Sequence, residues 1–142
     1  MSTARDIMHL GAECIGENET LAAAAQKMRD LHVGALPICG QDNRLHGIIT
    51  DRDIVVHCVA AGQDPVTMTA GQLARSTPIW VDVNADASEV LNTMTEHDIR
   101  RVPVLEGHQL VGMISEADLA THLDEHQLSR FASALYSAPP NS

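Results

Sequence analysis

"GIITDRDI", Gly47–Ile54, and "GMISEADL", Gly112–Leu119, lie sixty-five residues apart and share one pattern, Gly-x-x-(Thr/Ser)-x-x-Asp followed by an aliphatic residue. Working outward from this pair shows that the whole chain repeats. An offset of 66 aligns Thr3–Met8 with Thr69–Ala74, Met28 with Met94 and Pro37 with Pro103. One residue is then lost in a turn, and an offset of 65 pairs Leu45 with Leu110, Ile49 with Ile114, Asp53 with Asp118 and His57 with His122. The matches are sparse but ordered, and one gap in a loop keeps them so. That is the signature of a duplication.

Each half reads the same way. A short helical turn leads to a brief strand, around Cys14–Ile15 in one half and "IWVDV", Ile79–Val83, in the other. Leu21, Ala24, Ala25, Met28 and Leu31 recur at helical spacing, as do Ala87, Val90, Leu91 and Met94, with "DASE" (Asp86–Glu89) as the cap of the second helix. "ALPIC" (Ala35–Cys39) and "LHGIIT" (Leu45–Thr50) read as two strands joined by a polar turn, as do "RVPVL" and "LVGMIS" around "EGHQ". A closing helix follows each hairpin, from Asp51 to about Ala61 and from Glu116 to about Tyr136. The expected class is α/β (α+β): two β-α-β-β-α repeats, the first two strands parallel through a crossover and the next two a hairpin. About sixty residues would be marginal alone, so the repeats are expected to pack through their sheets with pseudo-twofold symmetry. The expected division is repeat one over 1–66, repeat two over 67–136 and a frayed tail over 137–142.

The corner motif supports two readings. As scaffold, Thr50-x-x-Asp53 and Ser115-x-x-Asp118 have the form of a capping box, although that box prefers the longer Glu or Gln at its last position. As a site, a helix N-terminus offers free N–H groups, and an aspartate in the first turn can accept from two adjacent sugar hydroxyls. Both can hold together.

Composition narrows the field. Nine Lys+Arg against nineteen Asp+Glu give a formal charge of −10, which disfavours nucleic acid and anionic membranes as partners. No apolar run approaches the roughly 20 residues of a membrane span. The start "MSTARDIM" lacks the pattern of a secretory signal, so a cytoplasmic location is expected, with export by a route without a cleaved signal left open. One Trp, one Tyr and one Phe oblige the interior to be aliphatic. No Ser/His/Asp arrangement, phosphate loop or paired-carboxylate signature appears, so no enzyme is expected and no cofactor is required.

These residues resemble a known family. The corner motif, the "RRVPV" strand (Arg100–Val104) and the "TDRDI" helix start are similar to those of cystathionine-β-synthase (CBS) domains, and the chain from about Thr3 to Leu123 resembles a tandem CBS-domain pair, or Bateman module. The resemblance implies clefts between the repeats that bind AMP, ADP or ATP in ligand-binding members. Carried over residue by residue, it implies Asp53 and Asp118 on the ribose diol, Thr50 and Ser115 near ribose or phosphate, and Arg100 and Arg101 on the phosphates. It places adenine near Ile15 and Val81. Repeat one has Gly34-Ala35 where repeat two has Arg100-Arg101, and Arg52 becomes Ala117 in repeat two, so at most one good site is expected. The resemblance also implies a homodimer through helix faces, and a regulated partner on another polypeptide. The rival is a ligand-free stress-response or interaction protein using the same scaffold.

Two further features stand apart from the corners. "HLDEH" sets His122 and His126 four apart, on one helical face, a two-ligand geometry for zinc if another chain or an acidic neighbour completes it; the bland alternative is a solvated helix face. In the inferred fold Cys14 and Cys39 lie on adjacent parallel strands, within reach of a disulfide. Their repeat-two equivalents, Trp80 and Leu105, are apolar, so the two could equally be packed neighbours. Cys58 is expected on a helix, free and buried.

Overall fold

The computed structural model describes residues 2–10, 13–74 and 78–137. The elements run α1 (Ala4–Ile7), β1 (His9–Leu10), β2 (Ile15–Gly16), α2 (Leu21–Leu31), β3 (Ala35–Cys39), β4 (Leu45–Thr50) and α3 (Asp51–Ile54), then α4 (Ala70–Leu73), β5 (Val81–Asp82), α5 (Ala87–Glu96), β6 (Arg101–Glu106), β7 (Gln109–Ser115), α6 (Glu116–Ala120) and α7 (Glu125–Ser137). The expected β-α-β-β-α order is present twice. One sheet has the order β2-β3-β4, the other β1-β7-β6-β5. In each, the crossover pair is parallel (Ile15 opposite Ile38, Val81 opposite Val104) and the hairpin antiparallel.

Local chemistry explains the matching helices. The Thr20 side chain accepts from the Ala23 N–H to start α2, and Asp86 accepts from the Glu89 N–H to start α5. Leu21, Ala24 and Met28 are buried along α2; Val90, Leu91 and Met94 are buried along α5. Ala25 and Leu31, expected on the apolar stripe, are exposed instead. Past each helix a non-glycine residue turns left-handed, His32 at φ 56° and Asp98 at φ 52°, the same position under the 66-residue offset.

Two compact units result, Glu13–Pro78 and Met1–Ala12 with Ile79–Ser142. This packing division differs from the expected one at residues 66 and 67. The reason is hydrogen bonding at each repeat's opening turn. In the unit formed by residues 1–12 and 79–142, the N–H groups of Ala4 and Arg5 donate to the carbonyls of Ala85 and Val83. In the unit formed by residues 13–78, Ala70 and Gly71 donate to Glu19 and Glu17. The four pairs are related by the 66-residue offset, so both opening turns make the same bonds, each to a helix lead-in of the other sequence repeat. Each unit has its own apolar core, one centred on Ile15, Leu36, Ile38 and Ile49, the other on Val83, Val102, Val104 and Ile114. Phe131 of α7 joins the second core.

Three elements depart from expectation. Strand β1, unforeseen, adds antiparallel to the edge of β7, with His9 opposite Met113 and Leu10 opposite Gly112. Helix α3 opens into a π turn over Val55–Val59, where the Ala60 N–H donates to the Val55 carbonyl. The long closing helix of repeat two is two helices. Asp124 and Gln127 form a reciprocal cap, each side chain accepting from the other's N–H, and α7 starts afresh there. Cys14 lies just before β2 rather than within it. The tail expected over 137–142 lies outside the described residues except for Ser137, which ends α7. Among the described residues no helix is long and apolar enough to cross a membrane.

Candidate functional site

Both repeated corners are complete capping boxes. At the first, the Asp53 N–H donates to Thr50 Oγ1 at 3.0 Å and the Thr50 N–H to Asp53 Oδ2 at 3.0 Å. At the second, the Asp118 N–H donates to Ser115 Oγ at 3.2 Å, and the Ser115 N–H and hydroxyl both donate to Asp118 Oδ2, at 2.9 and 2.8 Å. Aspartate therefore closes the box at both corners, which makes the scaffold reading stronger than the sequence suggested. The motif glycine of the second corner also has a structural cause. A Cβ on Gly112 would lie 2.5 Å from Met8 Sδ and 2.7 Å from the His9 carbonyl oxygen, so only glycine lets β1 cross here.

The second corner carries more than a cap. Arg101, first residue of β6, is directly opposite Ser115, last residue of β7. The Arg100 carbonyl accepts from the Glu116 N–H at 2.9 Å, tying the arginine pair to the helix start. The same register at the first corner places Ala35 opposite Thr50, and the Gly34 carbonyl accepts from the Asp51 N–H. In repeat two the strand that meets the hydroxyl–aspartate corner thus begins at an arginine pair, Arg100-Arg101, where repeat one has Gly34-Ala35. Arg52 is exposed on α3. One group opposes an anion: Glu116 Oε2 is buried with no hydrogen-bond partner among the described residues.

Asp118 is the most constrained of the candidates. Burial works against its charge, but the N–H and hydroxyl of Ser115, with His9, outweigh that and hold its carboxyl below the usual range. His9 Nε2 lies 2.6 Å from Asp118 Oδ1. No motif announced His9. The one trace is that the 66-residue offset sets it against Arg75, a second basic residue.

The placement of the remaining candidates departs from the sequence reading at one point, the histidine pair. Ile15 and Val81 are buried in their cores. The helix behind the second corner has five residues, too few for a strong macrodipole, and the case for a ligand rests on side chains. His122 sits in the turn after α6 while His126 is the second residue of α7, so they share no helical face. The His122 ring is held through Nδ1 by the Thr121 hydroxyl and the Asp118 carbonyl. Among the described residues no group of three or more His, Cys, Asp or Glu is placed to hold a metal ion.

Cys14 and Cys39 are joined, Cα to Cα 5.7 Å, and Cys58 is free and buried. A cavity of about 300 Å³ beside Cys39 is lined by Glu17, Glu19, Gly40 and Gln41 among others. It contains none of the candidate ligand residues, and its two carboxylates suit no phosphate.

The CBS-domain family model matches residues 4–59 and 70–125. Hypoxic response protein 1 of Mycobacterium tuberculosis is 58% identical over 137 residues, 96% of this chain and 96% of that protein. A solved structure described as Hypoxic Response Protein I with two coordinated zinc ions is 59% identical, with a TM-score of 0.82 over 87% of this chain and 100% of that one. Another, described as CBSX2 in complex with AMP, shares the fold at 17% identity and a TM-score of 0.75, over 86% of this chain and 96% of that one. The chain belongs to the CBS-domain family and carries two CBS domains in tandem.

Proposed function

We propose that the chain is a non-catalytic regulatory module whose second-repeat corner binds an adenine nucleotide, with Asp118 on the ribose diol and Arg100 and Arg101 on phosphate. The observation that carries this reading is the register of Arg101 opposite Ser115, beside Asp118, where repeat one has only Ala35 opposite Thr50. A fold relative described in complex with AMP supports the ligand class. The regulated partner is another protein. In a titration with AMP, Asp118→Ala and Arg101→Ala should each weaken binding by about 1.5–3 kcal/mol, while Asp53→Ala changes it little. Equal losses for the two aspartates contradict the assignment.

The assembly that fits this reading is a homodimer through the face of α3 and its π turn. Val55 and Val59 are 58% and 59% exposed there, and Val56 lies beside them at 39%. Such an aliphatic face is stable in water when a second copy covers it. Light scattering at micromolar concentration should give a dimer mass, and Val55→Asp with Val59→Asp should halve it. A monomer mass for the unaltered protein refutes the dimer.

Zinc is a second reading, favoured by the description of the 59% identical relative. His122, its Nδ1 already occupied, offers Nε2 as a ligand, and His126 would have to join it from the next helix or from another chain. Elemental analysis after dialysis against zinc should then find metal that His122→Ala loses. Equal metal in both proteins removes His122 from the site.

A further inference from the structure

We infer that His9 is a latch on the second-repeat corner: it occupies the aspartate oxygen that a ribose diol needs, and a nucleotide binds only after displacing it. The inference rests on the nucleotide reading above and adds to it the residue that sets affinity. A carboxylate has about four acceptor positions, two on each oxygen. Asp118 Oδ2 already accepts from both the N–H and the hydroxyl of Ser115, which leaves Oδ1 as the oxygen open to a ligand. His9 Nε2 stands 2.6 Å from that oxygen. A vicinal diol brings two O–H donors to one carboxylate, and beside His9 only a single acceptor position remains. The two cannot share the group.

The surroundings suit displacement. The His9 side chain is 77% exposed while that of Asp118 beneath it is 15% exposed, so the ring covers the carboxylate from the solvent side with little packed over it. It is carried on β1, a strand of two residues at the edge of its sheet. The neighbouring ring is fixed differently: His122 bonds the Asp118 carbonyl and the Thr121 hydroxyl and leaves the carboxylate alone. His9 is therefore the group that competes with a diol for Asp118.

The test compares the unaltered protein with His9→Ala and His9→Thr, the second keeping a strand-forming residue in β1. Each is titrated calorimetrically with AMP and with 2′,3′-dideoxy-AMP, which lacks the diol. Removing a hydrogen bond to a charged group should tighten AMP by about tenfold in both variants. The dideoxy compound, which makes no demand on Asp118, should bind all three proteins alike. AMP affinity that is unchanged or weaker in the variants overturns the latch and leaves the nucleotide site standing. So does an equal gain for the dideoxy compound. Failure of all three proteins to bind AMP overturns the site and the latch together.

Discussion

Reduction of the Cys14–Cys39 bridge should lower the unfolding free energy by about 3 kcal/mol, the loop-closure contribution expected for a 25-residue separation. The bridge ties a short edge strand to its neighbour. Strand β2 has two residues and pairs with β3 only at Ile15 and Gly16. Lys27 Nζ also donates to the Cys14 carbonyl at 2.9 Å, and Ile15 is buried in the core beside the bridge. Of the repeat-two equivalents, Trp80 is 47% exposed and Leu105 is buried. Peptide mapping of protein never exposed to reductant should find Cys14 and Cys39 linked and Cys58 reduced. Denaturant unfolding with and without reductant then gives the magnitude. Three thiols open to alkylation after unfolding would contradict the bridge.

The second large effect is expected at Gly112. Gly112→Ala should cost about 1–3 kcal/mol, the range for forcing an extra carbon into a packed site. The added carbon would meet Met8 Sδ, which can move, and the His9 carbonyl oxygen, which cannot move without opening the β1–β7 pairing. Hydrogen exchange should show residues 9 and 10 losing protection before the rest of that sheet. Gly34→Ala is the control. Its added carbon would meet only the end of the Asp51 side chain, at 3.2 Å, and repeat two places an arginine at the equivalent position. A Gly112→Ala protein as stable as the parent would remove β1 from the account.

The first hairpin was readable to the residue and the second to within one residue at its turn, because period-two apolar runs with a polar turn between them have one good register. Both crossover helices were readable from their apolar stripes, with Asp86 also foreseen as the cap of α5, although Ala25 and Leu31 lie exposed. What escaped was structure without a period. "HL" in β1 is too short to alternate, and it pairs because glycine opens space at Gly112, a long-range fact. The π turn changes the helical spacing by one residue over a single turn, within the tolerance of any pattern. The break before α7 was legible in principle, since Asp124-x-x-Gln127 has the form of a capping box, but the apolar residues on either side suggested continuity. At the site, the sequence pointed to Ser115, Asp118 and the arginine pair at the second corner and could not find His9. That contact depends on β1 lying along β7, and nothing in the motif encodes it.

Both the function and the latch depend on one binding event. Calorimetric titration of the unaltered protein and of His9→Ala with AMP, ATP and S-adenosylmethionine tests it directly. All three ligands carry a ribose diol, but only the nucleotides carry phosphate for Arg100 and Arg101. Saturable binding of AMP or ATP, with one site per chain and S-adenosylmethionine clearly weaker, is the predicted result. Flat titrations with all three ligands in both proteins, or tightest binding of S-adenosylmethionine, would contradict it.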